Sequence, residues 1–242
     1  MRRKSTGFLL SSTARMRQRR NERERQLMRH SDRLCRFYYA IYGAGVVGMA
    51  LPVKTFFLSV VPVVLFVSAV LLFTAVFSTV RGAGARRIFL VWCGLVFGMT
   101  MFLEALGVNY GLVFGAYVYS DILGVQLWGV PLLIGIKWLT VILGAVAAAI
   151  TFTARKWLII TVAGVIAVLF DYLLEPAALY LGFWRWDGPI PLSNYLAWFL
   201  IAAAGAAVLV WRGISFDGRA ARALLTAQTL FFAGIRLLML VS

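Results

Sequence analysis

Charge, histidine and cysteine are all scarce in this sequence. Asp, Glu, Lys and Arg together make up 14% of the 242 residues and 62% belong to the AVILMFWYC set, whereas a soluble globular domain carries about 25% charged residues. With a mean hydropathy of +0.88, an ordinary soluble domain is excluded. The single histidine, His30, sits in a basic N-terminal stretch. A Ser-His-Asp triad, a carboxylate and histidine di-iron centre and axial histidine ligation of haem are therefore closed to the apolar body. Cys35 and Cys93 have no metal-site spacing and read as small apolar residues outside any disulfide framework. Neither a G-x-G-x-x-G after a strand nor a P-loop is present, so no nucleotide cofactor has a visible cradle. Carboxylates and aromatics remain as carriers of chemistry, with no metal or cofactor expected.

What is present is long apolar runs and basic residues placed between them. A membrane span needs about 20 apolar residues, and seven candidates cover 37–53, 55–80, 88–107, 129–154, 157–179, 195–211 and 223–241. The expected fold is an all-α, polytopic integral membrane bundle of about seven transmembrane helices over 37–242. Residues 1–36 form a basic tail expected to be disordered, with twelve Lys and Arg against Glu22, Glu24 and Asp32. The first span is expected to be an uncleaved anchor, because the polar stretch before it is long and no A-x-A site follows. With the tail inside, the inner loops hold Arg81, Arg86 and Arg87, then Arg155 and Lys156, then Arg212, Arg219 and Arg222. Twenty of the 24 basic residues then lie on the cytoplasmic side, as expected for a multi-pass protein of the cell membrane with its N-terminus inside. The tail is expected to be attracted to anionic lipid and not to nucleic acid.

The connection at 108–128 has no Lys or Arg and interleaves Tyr110, Phe114, Tyr117 and Tyr119 with Gly111, Gly115 and Gly124. It reads either as a re-entrant or interfacial element or as an aromatic belt. At 1.5 Å per residue, Glu104, Asp171 and Glu175 fall about 24, 21 and 27 Å from the cytoplasmic starts of their spans, and Lys137 and Arg236 about 18 to 20 Å from the same side. Five ionisable residues thus share one layer, where they should face one another or a cavity. Ion pairs that glue helices are one reading. The other is chemical: Asp171 and Glu175 are one turn apart on one helix face and repel as like charges, so one is expected to keep its proton as a general acid. Pro176 is expected to stop or kink that helix. Trp184 and Trp186 beside the layer read as belt residues or as walls of a cleft. A lone D-x-x-x-E is too sparse for the metal clusters of prenyl-diphosphate chemistry.

The ordered set Glu104, Gly107, Phe114-Gly115, Tyr117, Tyr119, Gly124, Gly129-Val130-Pro131, Trp138, Asp171, Glu175-Pro176-Ala177, Gly182, Trp184, Trp186, Pro191, Asn194 and Trp198 resembles the membrane carotenoid 1,2-hydratase family. That family includes the CruF-type and bisanhydrobacterioruberin hydratases. The resemblance covers residues 104–198, and Lys137 departs from it, since a neutral residue is expected before the Trp. It implies cofactor-independent addition of water across the terminal C-1,2 double bond of a linear carotenoid. Protonation at C-2 leaves a tertiary cation at C-1, which water captures. One of Asp171, Glu175 and Glu104 suits the acid and a second the base, and Asn194 suits a water-positioning amide. Tyr110, Phe114, Tyr117, Trp184 and Trp186, with Tyr119 and Trp198, are the expected wall for substrate and cation. Membrane lipid and other enzymes of carotenoid biosynthesis are the expected partners. Two alternatives remain open: a lycopene-type carotenoid cyclase, which starts with the same protonation, and a membrane transporter of a hydrophobic substrate.

Overall fold

The computed structural model describes residues 4–241. Seven helices account for most of it: α1 (Lys4–Ala50), α2 (Lys54–Thr79), α3 (Ala83–Tyr110), α4 (Leu132–Phe152), α5 (Lys156–Leu181), α6 (Leu192–Trp211) and α7 (Arg219–Val241). Among the described residues, α2 to α7 are each long and apolar enough to cross a membrane. The chain is a multi-pass membrane helix bundle. The apolar end of α1 joins it by packing on α7 and α2.

Residues 4–36, expected to lack regular structure, instead continue α1 as one helix. The reason is local: Arg, Glu, Gln, Leu and Met are good helix formers, no proline occurs before Pro52, and the Gln18 amide donates to Glu22 one turn on at 3.0 Å. Pro52 follows two residues beyond the end of α1, where a proline commonly sits.

At the centre lies α4, which packs on α2, α3, α5, α6 and α7. Its small residues allow this. A Cβ at Gly144 would stand 2.7 Å from Leu225 Cβ and 3.0 Å from the Ala221 carbonyl oxygen, so glycine fixes how closely α4 and α7 approach. In contrast, α2 keeps Val63, Phe66, Val67 and Val70 on an exposed face, the face suited to lipid.

The α2–α3, α4–α5 and α6–α7 connections share the end where α1 carries its basic residues. There Ser31 Oγ of α1 donates to Asp217 Oδ2 at 2.9 Å, and the Asp217 amide donates to Thr79 Oγ1 of α2 at 3.0 Å. Arg219 pairs with Asp217 at 2.8 Å and with Asp32 at 3.0 Å.

The opposite end is closed by strands that the helix-only expectation did not contain. The 108–128 connection forms β1 (Tyr117–Tyr119), a 3₁₀ turn (Asp121–Leu123) and β2 (Gln126–Leu127), which pairs with β3 (Val130–Pro131). The α5–α6 connection supplies β4 (Trp184–Trp186), antiparallel to β1 with Tyr117 opposite Trp186 and Tyr119 opposite Trp184. Ser120 N to Phe183 O and Asp187 N to Ala116 O, both 2.9 Å, extend the ladder.

Pro176 neither stops α5 nor leaves a gap, for the helix runs on to Leu181. Proline lacks the N–H that would reach the carbonyl four residues back, and that carbonyl, Tyr172 O, accepts instead from Arg236 Nη1 of α7 at 3.3 Å.

Candidate functional site

Side chains alternate across a strand, so each three-residue strand of the β1–β4 ribbon turns two rings inward. Tyr117, Tyr119, Trp184 and Trp186 cap a chamber whose floor is α3, α4, α5 and α6, while Val118 and Arg185 point away. The rings interlock, with Tyr117 to Trp186 at 4.7 Å and Tyr119 to Trp184 at 5.7 Å between centroids. On the helical side Trp138 and Trp198 stack at 4.0 Å, and Phe114 leans on Trp138 and Tyr117.

Three buried carboxylates enter this aromatic box, and each is held differently. Glu104 Oε2 accepts from the Tyr117 hydroxyl and, at 2.8 Å, from the Tyr119 hydroxyl, while its Oε1 accepts from Trp138 Nε1 at 2.8 Å. The approach of Tyr117 depends on Gly107, where a Cβ would lie 2.8 Å from Tyr117 Cε1. Burial and then the Glu104 charge push the Tyr117 and Tyr119 phenols well above their ordinary value, which keeps both as donors. Glu175 Oε2 accepts from Trp184 Nε1 at 3.0 Å and Trp186 Nε1 at 2.8 Å. Asp171 Oδ2 accepts from Asn194 Nδ2 at 2.7 Å, while its Oδ1 is buried without a hydrogen-bond partner. Buried polar atoms are nearly always paired, and among the described residues only Ser68 Oγ of α2 shares this state. Asp171 lines a chamber of about 30 Å³, room for one or two waters.

Of the residues singled out from the sequence, Glu104, Asp171, Glu175, Asn194, Phe114, Tyr117, Tyr119, Trp184, Trp186 and Trp198 all line this one chamber. Tyr110 does not. It is the last residue of α3 and is 73% exposed, because α3 continues past the expected end of its span and carries Tyr110 outward. Lys137 lines the chamber, but Arg236 is taken up by Tyr172, whose carbonyl it reaches and whose ring lies 5.2 Å away.

Ion-pair glue is not what the layer contains, since no ion pair joins Lys137 or Arg236 to the three carboxylates among the described residues. Lys137 Nζ donates to Gln228 Oε1 at 3.2 Å and sits 4.6 Å from the Phe170 ring centroid and 5.1 Å from that of Phe232. Ile134 and Leu174 are site residues not among the candidates, and Trp138, present in the ordered set behind the resemblance, carries no assigned role there. Its signal is that it is the one indole of α4, one place after Lys137.

An aromatic box holding a carboxyl with one free oxygen can pass a proton to a carbon–carbon double bond and stabilise the resulting cation on ring faces. A family model described as carotenoid biosynthesis protein matches residues 58–242. The chain belongs to this family. Every residue of the chamber lies within the matched stretch, and the basic part of α1 lies outside it. Carotenoid biosynthesis family membership gives the chain a role in that pathway. No curated protein and no solved structure matches the chain.

Proposed function

We propose that the protein is a cofactor-independent carotenoid 1,2-hydratase acting on the terminal double bond of a linear carotenoid. One observation carries the reading: Asp171, whose Oδ1 is buried and unpaired, lines a chamber walled by aromatic rings. In its protonated form Asp171 donates to C-2 as the C-1,2 π bond opens, and positive charge develops on tertiary C-1. Glu104, held by three donors, is fixed in place and supplies negative charge to that cation. The faces of Tyr117, Trp186, Trp138 and Trp198 add cation–π attraction of about 0.5 to 2 kcal/mol for each well-placed ring. A chamber water attacks C-1, its surplus proton passes to Glu175 one turn along α5, and from there returns to Asp171. The net change is one water added and no electrons exchanged. Asn194 acts through Asp171, orienting its carboxyl.

The positive-inside rule adds that the basic end of the bundle lies in the cytoplasm, which puts the aromatic ribbon at the outer leaflet of the cell membrane. The substrate is drawn from lipid, and other enzymes of the pathway are the fitting neighbours.

The test is pigment analysis in a carotenoid-producing host expressing the wild type and Asp171→Asn. Pigment heavier by one water in the wild type, absent in the variant at equal protein level, is expected. A product of unchanged mass with a ring closed would make the protein a cyclase, and an untouched pigment in the wild type would sink the reading.

A further inference from the structure

A second cavity, of about 90 Å³, lies beside the carboxylate chamber, between the end of α1, α2 and the α4–α7 core. It shares Ile134, Lys137, Leu174 and Trp184 with the chamber, so those four side chains form one wall between the two spaces. Its lining extends over Ile41 to Met49 on α1 and Phe57 to Leu65 on α2, about 12 Å along each helix axis. The α2 wall has its other face bare of protein, with Val63 and Phe66 exposed, so the cavity is one helix thickness from lipid.

Of the polar side chains that border it, Tyr42, Lys137 and Trp184, each directs its polar atom elsewhere. The Tyr42 hydroxyl accepts from Gln228 Nε2 at 2.8 Å, Lys137 Nζ donates to Gln228 Oε1 at 3.2 Å, and Trp184 Nε1 donates to Glu175 at 3.0 Å. What remains toward the cavity is hydrocarbon and ring face. Lys137 and Tyr42 keep further donor hydrogens, but the surface that the cavity exposes is almost wholly apolar, so an oxygen placed there is poorly served, and a polar group buried without a partner is penalised.

We propose that this cavity holds the chain of the substrate behind its reacting end, and that it selects a segment of unoxygenated polyene. The inference rests on the hydration reading for which end reacts, but binding tests it separately. Hydrocarbon filling an apolar space next to the chamber positions the terminal double bond against Asp171, while a hydroxyl or keto group on the carbons next to that end would be stranded.

The experiment measures pigment retained by protein purified in detergent, with turnover read in parallel. The probes are an acyclic hydrocarbon carotenoid and the same chain bearing a keto group next to the terminal isoprene unit. Wild-type protein is expected to retain the hydrocarbon at least about tenfold better than the keto compound. Val61→Trp and Leu65→Trp, which fill the cavity from α2, are expected to lower retention of the hydrocarbon at least about tenfold, while Asp171→Asn retains it. Equal retention of the two probes by the wild type would overturn the selection. Unchanged retention in both Trp variants would overturn the assignment of the cavity. Wild-type protein that retains the hydrocarbon in the expected pattern yet forms no hydroxylated product would support the cavity and sink the hydratase reading alone.

Discussion

Glu175 and Glu104 depend on donors that can be removed one at a time while an aromatic ring is kept. Trp184→Phe and Trp186→Phe each keep a ring and delete an N–H aimed at Glu175 Oε2. A hydrogen bond to a charged group is worth about 1.5 to 3 kcal/mol, and because the two indoles share one oxygen the losses should not add. Melting of the purified protein should show the double variant more destabilised than the sum of the singles, because each single variant leaves the other indole on the same oxygen. Gly107→Ala is a sharper probe, since its methyl displaces Tyr117 from Glu104. Hydroxylated product should fall about as far as in Tyr117→Phe, with no further fall in the double variant; an additive loss would place the effect elsewhere in α3. Much of this site was legible from residue types alone, because a buried carboxylate must find donors and the chain offers few. Tyr110 misled because an aromatic just beyond a helix looks the same in sequence whether it turns in or out.

Pro176 shows what a proline inside a span requires of its neighbours. If Arg236 is present to satisfy the Tyr172 carbonyl, Arg236→Leu leaves that carbonyl without a donor and costs about 1 to 3 kcal/mol. Pro176→Ala supplies a helical N–H and should make Arg236 dispensable. A double-mutant cycle on thermal stability should therefore show Arg236→Leu nearly neutral in the Pro176→Ala background, and an equal loss in both backgrounds would refute the pairing. The helices themselves were readable from apolar runs, to within a few residues at most ends. Two things were not. A proline in sequence suggests a stop or a kink, because a single segment does not reveal a donor on another helix, and only the stop is overturned. The ribbon was missed because the window for spans passes over three-residue elements, although Tyr-x-Tyr and Trp-x-Trp already carry the two-residue period of a strand.

The bundle as a whole is tied at its basic end through Asp217, which links α1, α2 and α7. Burial pushes its carboxyl up, but hydrogen bonds from Arg219 and Ser31 outweigh this and hold it below its ordinary 3.8. A group lowered on folding contributes stability that is fully present above its unfolded value and is lost as pH falls through the folded one. Wild-type protein should thus lose stability below about pH 4, and Asp217→Asn should be less stable at neutral pH with a flatter acid limb. An unchanged acid limb in the variant would remove Asp217 from that role. Nothing in composition pointed to this junction, since Ser31, Thr79 and Asp217 are far apart in the chain and each is ordinary alone.

The partners of the three carboxylates also set an order of events during synthesis. Glu104 meets its donors 13, 15 and 34 residues later. Glu175 meets its own 9 and 11 residues later and Asp171 at 23. As the chain leaves the ribosome, each acidic side chain is answered by donors from the very next stretch to emerge, so none has to wait in hydrocarbon for a distant helix. The two halves can therefore enter the bilayer as separately quenched units. The pairing of β1 with β4 and the stacking of Trp138 on Trp198 have to await the second half, and that late zipping assembles the aromatic chamber.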